Sequence, residues 1–175
     1  GIVAIYAYRS DAPPVEGAEL EAIRDHMIPR GPDGAGSWIS SSGRAGLAHR
    51  RLSIIDLSTA AAPPMAFEDG RYQISYNGEI YNFRALRTEL EAKGQNFKTN
   101  SDTEVLLHLY HLYGTDMVRR LRGMYAFTIW DAAKRGLFVA RDPFGIKPLY
   151  YADTGGTFRA ASTVKALKAG GKVGT

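Results

Sequence analysis

The tripeptide Asn77-Gly78-Glu79 is the segment of this sequence best suited to chemistry. An asparagine amide beside a glycine N–H offers two hydrogen-bond donors that can converge on one oxyanion, and the missing side chain lets a substrate come close to the backbone. Asn-Gly is also the commonest short hairpin signal, but a helical pattern starts at Phe83, where a hairpin would need a partner strand. Arg51 has a guanidinium that can fork onto a carboxylate with two hydrogen bonds; taken alone it reads equally well as an exposed arginine on an edge strand. Asp102 stands at the start of a helical pattern, where free N–H groups and the helix dipole favour a carboxylate. It could instead face a cavity and bind an ammonium group, and local sequence leaves both readings open. The four histidines are His26, His49, His108 and His111. His108 and His111 share a helix face, but no third ligand stands at matching spacing, so they read as helix-surface or interface histidines and no metal site is expected. No phosphate loop, dinucleotide fingerprint or nucleophile elbow is present.

These residues must be positioned by a mixture of strands and helices. Ile2–Tyr8 is β-branched and aromatic, the pattern of a buried strand. Leu20, Ile23 and Met27 give Glu16–Ile28 a helical stripe that Pro29 ends, and residues 30–34 read as a turn. Gly46–Ile55 reads as strand and Ala60–Ala66, with Pro63-Pro64, as irregular. Alternation of Tyr72, Ile74 and Tyr76 with polar residues predicts a half-exposed strand running into Asn77-Gly78. Phe83–Lys93 is a helix with Asn82 as its N-cap and Gly94 just past its end. Ser101-Asp102-Thr103-Glu104 is a capping-box pattern opening a helix to Tyr113, closed by Gly114. A short helix over Asp116–Leu121 follows. Strands are expected over Met124–Trp130, Gly136–Ala140, Leu149–Tyr151 and Thr157–Ala160, with turns at Ala133–Gly136 and Asp153–Gly156; a last helix begins near Ser162. This order argues for an α+β fold with antiparallel sheets, not a βαβ nucleotide fold.

The chain has 175 residues, 45% of them hydrophobic and 23% charged, which suits one domain with a substantial core and not two. The formal net charge is +4, but Lys and Arg are interleaved with Asp and Glu, so no nucleic-acid-binding face is indicated. With no cysteine in the chain, disulfides and thiolate metal sites are excluded. The N-terminal run lacks the features of a signal peptide and no apolar stretch reaches membrane-spanning length, so a soluble cytoplasmic protein without membrane contact is expected.

Taken in order, five motifs carry a specific resemblance: residues 30–36 (Arg-Gly-Pro-Asp-Gly-Ala-Gly), 49–56 (His-Arg-Arg-Leu-Ser-Ile-Ile-Asp), 76–82 (Tyr-Asn-Gly-Glu-Ile-Tyr-Asn), 101–104 (Ser-Asp-Thr-Glu) and 141–151 (Arg-Asp-Pro-Phe-Gly-Ile-Lys-Pro-Leu-Tyr-Tyr). Together with Gly1–Tyr6 they resemble the glutaminase domain of class II, N-terminal-nucleophile glutamine amidotransferases of the asparagine-synthetase branch, over nearly the whole chain. The resemblance implies a four-layer αββα sandwich of two antiparallel sheets, the N-terminal-nucleophile hydrolase fold, with residues 1–175 as one glutaminase domain. It implies that glutamine is hydrolysed to glutamate and ammonia for ATP-dependent amidation of a carboxylate such as aspartate. Asn77 and the Gly78 N–H would stabilise the oxyanion, Arg51 would hold the glutamine α-carboxylate, Glu79 and Asp102 its α-ammonium, and backbone groups of Leu52, Ser53, Ile54 and Ile55 would complete the pocket. The nucleophile would be a cysteine preceding Gly1, with its own α-amine as base; the chain as it stands lacks that cysteine and is expected to bind glutamine without turning it over. The domain itself would need no cofactor. ATP and magnesium would belong to a synthetase domain downstream in the native chain, and a homodimer is compatible with this picture.

Three departures stand out from the family pattern: Pro29 in place of the usual histidine, Pro63 in place of a glutamine, and Thr163 in place of a glutamate. A second reading of the same motifs is a catalytically silent glutamine-binding or regulatory module; retention of Arg51, Asn77, Gly78, Glu79 and Asp102 argues against it.

Overall fold

Strand β1 (Ile2–Ala7) is apolar at nearly every position because both of its faces are covered. In the computed structural model, which describes residues 1–51 and 64–174, β1 is central in a five-stranded antiparallel sheet. Its neighbours are β3 (Ala45–Arg51) and β9 (Thr157–Ala161), with β2 (Gly34–Ile39) and β8 (Tyr150–Thr154) at the two edges. Helices α1 (Gly17–Asp25) and α4 (Val164–Ala169) cover one face, where Leu20, Ile23 and Leu167 pack on Val3 and Ile5. On the other face, Ala4, Leu47 and Ala160 meet Trp130 of a second sheet.

That second sheet has the order β4 (Met65–Phe67), β5 (Tyr72–Ile80), β6 (Gly123–Asp131), β7 (Gly136–Arg141), again antiparallel. Its outer face carries α2 (Phe83–Ala92) and α3 (Asp102–Tyr113), whose Leu86, Leu90 and Leu106 pack into the largest core cluster with Ile74, Ile80 and Phe127. The layers therefore run helix, sheet, sheet, helix, the αββα sandwich expected.

Several local expectations need correction. The first helix ends at Asp25 and a short 3-10 turn, Ile28–Arg30, carries Pro29; the helix expected over Asp116–Leu121 is a 3-10 segment, Gly114–Arg120. Strand β2 was hidden in Gly34–Ile39, whose inward side is Gly34, Gly36 and Trp38, two of the three lacking a side chain. Strand β4 lies where irregular chain was expected, and the part of the expected strand beyond Arg51 falls outside the described residues. Strand β5 is not half-exposed: Gln73 and Ser75, the polar members of its alternation, are buried between the sheets. Asn82 makes no cap bond; its amide donates to the Arg120 carbonyl and accepts from the Arg122 N–H, both at 2.9 Å. Ser101 does cap α3, accepting from the Thr103 N–H at 3.1 Å, but Glu104 turns away from the box to accept from the Lys98 and Thr99 N–H groups. His108 is not a surface residue. It is buried, with Phe67 and Phe97 against its ring. The turn at Asp153–Gly156 is as expected, with positive φ at Gly155 and Gly156, the twist that a tight hairpin demands.

One charged pair lies deep in the helix–sheet layer. The Arg159 guanidinium of β9 donates to Glu19 of α1 at 2.5 Å, both side chains being less than a tenth exposed. Breaking such a pair strands a buried charge. Arg159→Met is therefore expected to destabilise the fold by about 3–5 kcal/mol in urea unfolding, with much of the loss recovered when Glu19→Met is added.

Candidate active site

The geometry of the site starts at the first residue. The Gly1 amino group donates to the Arg50 carbonyl at 2.7 Å, and the Arg50 N–H donates back to the Gly1 carbonyl at 2.8 Å. Ile2 pairs with His49, so Gly1 stands opposite Arg50, and a residue placed before Gly1 in the same strand would stand opposite Arg51. Arg50 itself is occupied: it donates to the Gly31 carbonyl at 3.1 Å and lies 3.7 Å from Asp25. Among the described residues no acid or carbonyl partners the Arg51 guanidinium. Arg51 is also not on an edge, since β3 runs between β2 and β1.

Strand β5 crosses β3 at this end of the molecule. The Ser75 hydroxyl donates to the Ala48 carbonyl at 2.8 Å, and the His49 ring hydrogen-bonds the backbone of Tyr76. The two strands advance together through these contacts, so the residues that follow, Arg51 on one and Asn77-Gly78 on the other, come to the same end of the facing sheets. Asn77-Gly78 is within the strand, paired with Ala126 and Tyr125 of β6, and forms no hairpin turn. A Cβ at position 78 would lie 2.3 Å from the Met124 carbonyl oxygen, so close strand approach alone requires glycine there. Glu79 is exposed one position further on.

Asp102 reaches the same end from α3. Its Oδ2 accepts from the Tyr76 hydroxyl at 2.7 Å and from the Ile80 N–H at 3.1 Å, and among the described residues nothing donates to Oδ1. The structure thus brings together Arg51, Asn77, Gly78 and Asp102 with the start of β1, and it sets Glu79 beside them. Leu52, Ser53, Ile54 and Ile55 lie outside the described residues. No group of three His, Asp or Glu side chains suited to a metal ion occurs among the described residues, and no described helix is long and apolar enough to cross a membrane.

Burial and charge act together on the groups here. The Gly1 amino group is lowered to about 5, chiefly by burial and then by the positive charges of Arg30, Arg50 and Lys147. His49 is lowered to about 3, again by burial first, then by the charges of the N-terminus and Arg51. Lys147 is held in place through its loop: Asp142 accepts from the N–H groups of Phe144, Ile146 and Lys147 within 2.9–3.1 Å. His49, Lys147 and Tyr76 are parts of this site that the sequence does not single out. His49 and Lys147 lie within quoted motifs, but spacing does not show that one bonds β5 and the other faces the start of β1.

The depressed amine makes stability depend on pH. Its folded value lies below the ordinary 8.0 of a free amino group, so the unfolded chain binds the proton more readily between the two values. This contribution is complete above pH 8 and is lost as pH falls towards 5. For the 175-residue chain we expect a loss on the order of a few kcal/mol across that window in urea unfolding. Acetylating Gly1 removes this component and leaves the later loss, below pH 6.5, that belongs to His49.

Comparison with known proteins gives the family and the fold. The family model described as a glutamine amidotransferase domain matches residues 1–175. The chain is 46% identical over 148 residues to asparagine synthetase [glutamine-hydrolyzing] 1 of Bacillus subtilis, a match covering 85% of this chain and 23% of that one. It is 40% identical over 153 residues to amidase chry2 of Gibberella zeae, covering 87% of this chain and 23% of that protein. The chain thus spans about a quarter of the length of these curated relatives. A solved glutamine phosphoribosylpyrophosphate amidotransferase from B. subtilis superposes with a TM-score of 0.81 at 22% identity, covering 97% of this chain and 43% of that one, a likeness of fold. With the family model spanning every residue, this chain belongs to the glutamine amidotransferase domain family.

Proposed function

We propose that this domain hydrolyses glutamine to glutamate and ammonia, and that the ammonia amidates a carboxylate such as aspartate at a separate ATP-dependent site. The observation that carries the reading is the convergence of three groups on one end of the facing sheets: Arg51, whose guanidinium has no acid or carbonyl partner among the described residues, the Asn77-Gly78 pair, and Asp102, whose Oδ1 has no donor among the described residues. An arginine and a carboxylate set apart in this way suit the zwitterionic end of an amino acid. Arg51 takes the α-carboxylate; Asp102, through Oδ1, and Glu79 take the α-ammonium; backbone groups of Leu52–Ile55 close the remaining side.

The nucleophile in this reading is a cysteine preceding Gly1, in register with Arg51. Its α-amine, close to the burial and positive charge that depress the Gly1 amine, is neutral near pH 7 and accepts the thiol proton. The thiolate attacks the carboxamide carbon, and the Asn77 amide and Gly78 N–H stabilise the resulting oxyanion. The ammonium form of the amine returns the proton as the C–N bond breaks, ammonia leaves, and a thioester remains. Water then cleaves the thioester to glutamate and the free thiol. No metal or cofactor enters these steps. ATP and magnesium belong, in this reading, to a synthetase region of the native cytoplasmic protein outside these 175 residues. Relatives named as an asparagine synthetase and as an amidase share this domain, so the acceptor is set by that other region.

The test is glutamate release by the chain with one cysteine placed before Gly1 and its amine left free. Asn77→Ala is expected to cost about 100- to 1,000-fold in kcat, the scale of a lost oxyanion donor. Arg51→Ala is expected to act mainly on KM. A folded cysteine-bearing protein that neither hydrolyses nor binds glutamine would overturn the proposal and leave a silent module of the same fold.

A further inference from the structure

We infer that Tyr76 is a positioning residue for substrate selection: its hydroxyl anchors Asp102 so that the free carboxylate oxygen meets the α-ammonium of the substrate. This rests on the glutamine reading above and goes one residue beyond it.

A carboxylate in the first turn of a helix ordinarily turns back onto the unsatisfied N–H groups there. In α3 that role is filled by Ser101, which accepts from the Thr103 N–H. Asp102 is released from capping and extends to β5, where Oδ2 accepts from both the Tyr76 hydroxyl and the Ile80 N–H. Two donors on one oxygen, one from a side chain and one from the backbone, fix the plane of the carboxylate. Oδ1, with no donor among the described residues, is left pointing as that plane dictates.

Tyr76 is suited to the task. Its ring is buried in the core shared by β5 and α3, so its hydroxyl has little freedom to swing. Burial first, and the Asp102 charge second, raise the phenol above its ordinary range, so the hydroxyl keeps its proton near neutral pH and acts as the donor to Asp102. The neighbouring residue in the chain is Asn77. One strand therefore carries the anchor of the ammonium-binding group and the oxyanion donor on consecutive residues, coupling recognition of the amino-acid end to the placement of the amide.

Tyr76→Phe keeps the ring and deletes one hydrogen bond to a charged group. Asp102 then keeps a single anchor, and affinity for ligands that bear an α-ammonium should fall about tenfold. The experiment titrates the 175-residue chain with L-glutamine and with glutaramate, its analogue without the amino group, following backbone amide shifts by NMR. The expected result is a weaker Kd for glutamine in Tyr76→Phe with glutaramate unchanged. In an Asp102→Ala background, Tyr76→Phe should add nothing for either ligand. Equal weakening for both ligands would overturn the inference, since Tyr76 would then only be supporting the strand. Unchanged glutamine affinity in Tyr76→Phe would overturn it as well. Failure of the unsubstituted, folded chain to bind glutamine would be a different result: it removes the glutamine reading itself and this inference with it.

Discussion

The contact between β3 and β5 is the constraint on which the site depends. The two strands belong to different sheets and share no ladder, yet Ser75 donates to the Ala48 carbonyl and the His49 ring bonds the Tyr76 backbone. Sheets packed face to face by apolar side chains can slide, because dispersion and burial are not directional. Hydrogen bonds made inside that layer are directional and costly to leave unmade. They fix how far β5 has advanced when β3 reaches Arg51, and hence whether Asn77 and Gly78 arrive beside it. The buried hydroxyl and the neutral imidazole thus serve as a register mark between the two facing sheets.

Around that mark the charges are distributed unevenly. Arg50 is satisfied by Gly31 and Asp25, Arg159 by Glu19, and Arg24 by Asp25. At the start of β1 burial disfavours a further positive charge, and the charges of Arg30, Arg50 and Lys147 add to it. An amine in that environment is a base rather than an ammonium at neutral pH, with no histidine or carboxylate needed to make it so. His49, although close, is held neutral by its own burial first and then by the charges of the N-terminus and Arg51, and its bond to Tyr76 engages it in structure.

Loop chemistry supports the same end of the molecule. Asp142 gathers three N–H groups of the loop that follows it, while Arg141 donates to the carbonyls of Gly145 and Lys147. The motif from Arg141 to Lys147 is therefore a self-tied loop between β7 and β8, and its effect on the site is to keep the Lys147 charge facing the N-terminal strand. Phe144 at its tip is 88% exposed, so the loop is held by these polar bonds and not by burial of its apolar residue.

What the sequence determined by itself was the class of the fold, its helices α1, α2 and α3, most of its strands, and the identity of Arg51, Asn77, Gly78 and Asp102 as the groups worth following. Those signals are local: period-2 and period-3.6 patterns, turn pairs such as Gly155-Gly156, and side chains with a definite chemistry. It misplaced what depends on partners distant in sequence. β5 looked half-exposed because Gln73 and Ser75 are polar, and only a second sheet bearing an acceptor at Ala48 makes them interior residues. His108 looked like a surface residue until Phe67 and Phe97 closed over it. Arg51 by itself could have been an edge-strand arginine; packing puts it in a strand with neighbours on both sides, while Arg50 beside it is taken up by Gly31 and Asp25. Asp102 could equally have been a helix cap, and the choice was made by Tyr76 and Ile80, more than 20 residues earlier in the chain. Spacing along a chain encodes the period of an element, whereas the partner of a polar side chain is settled only when the sheets and helices pack.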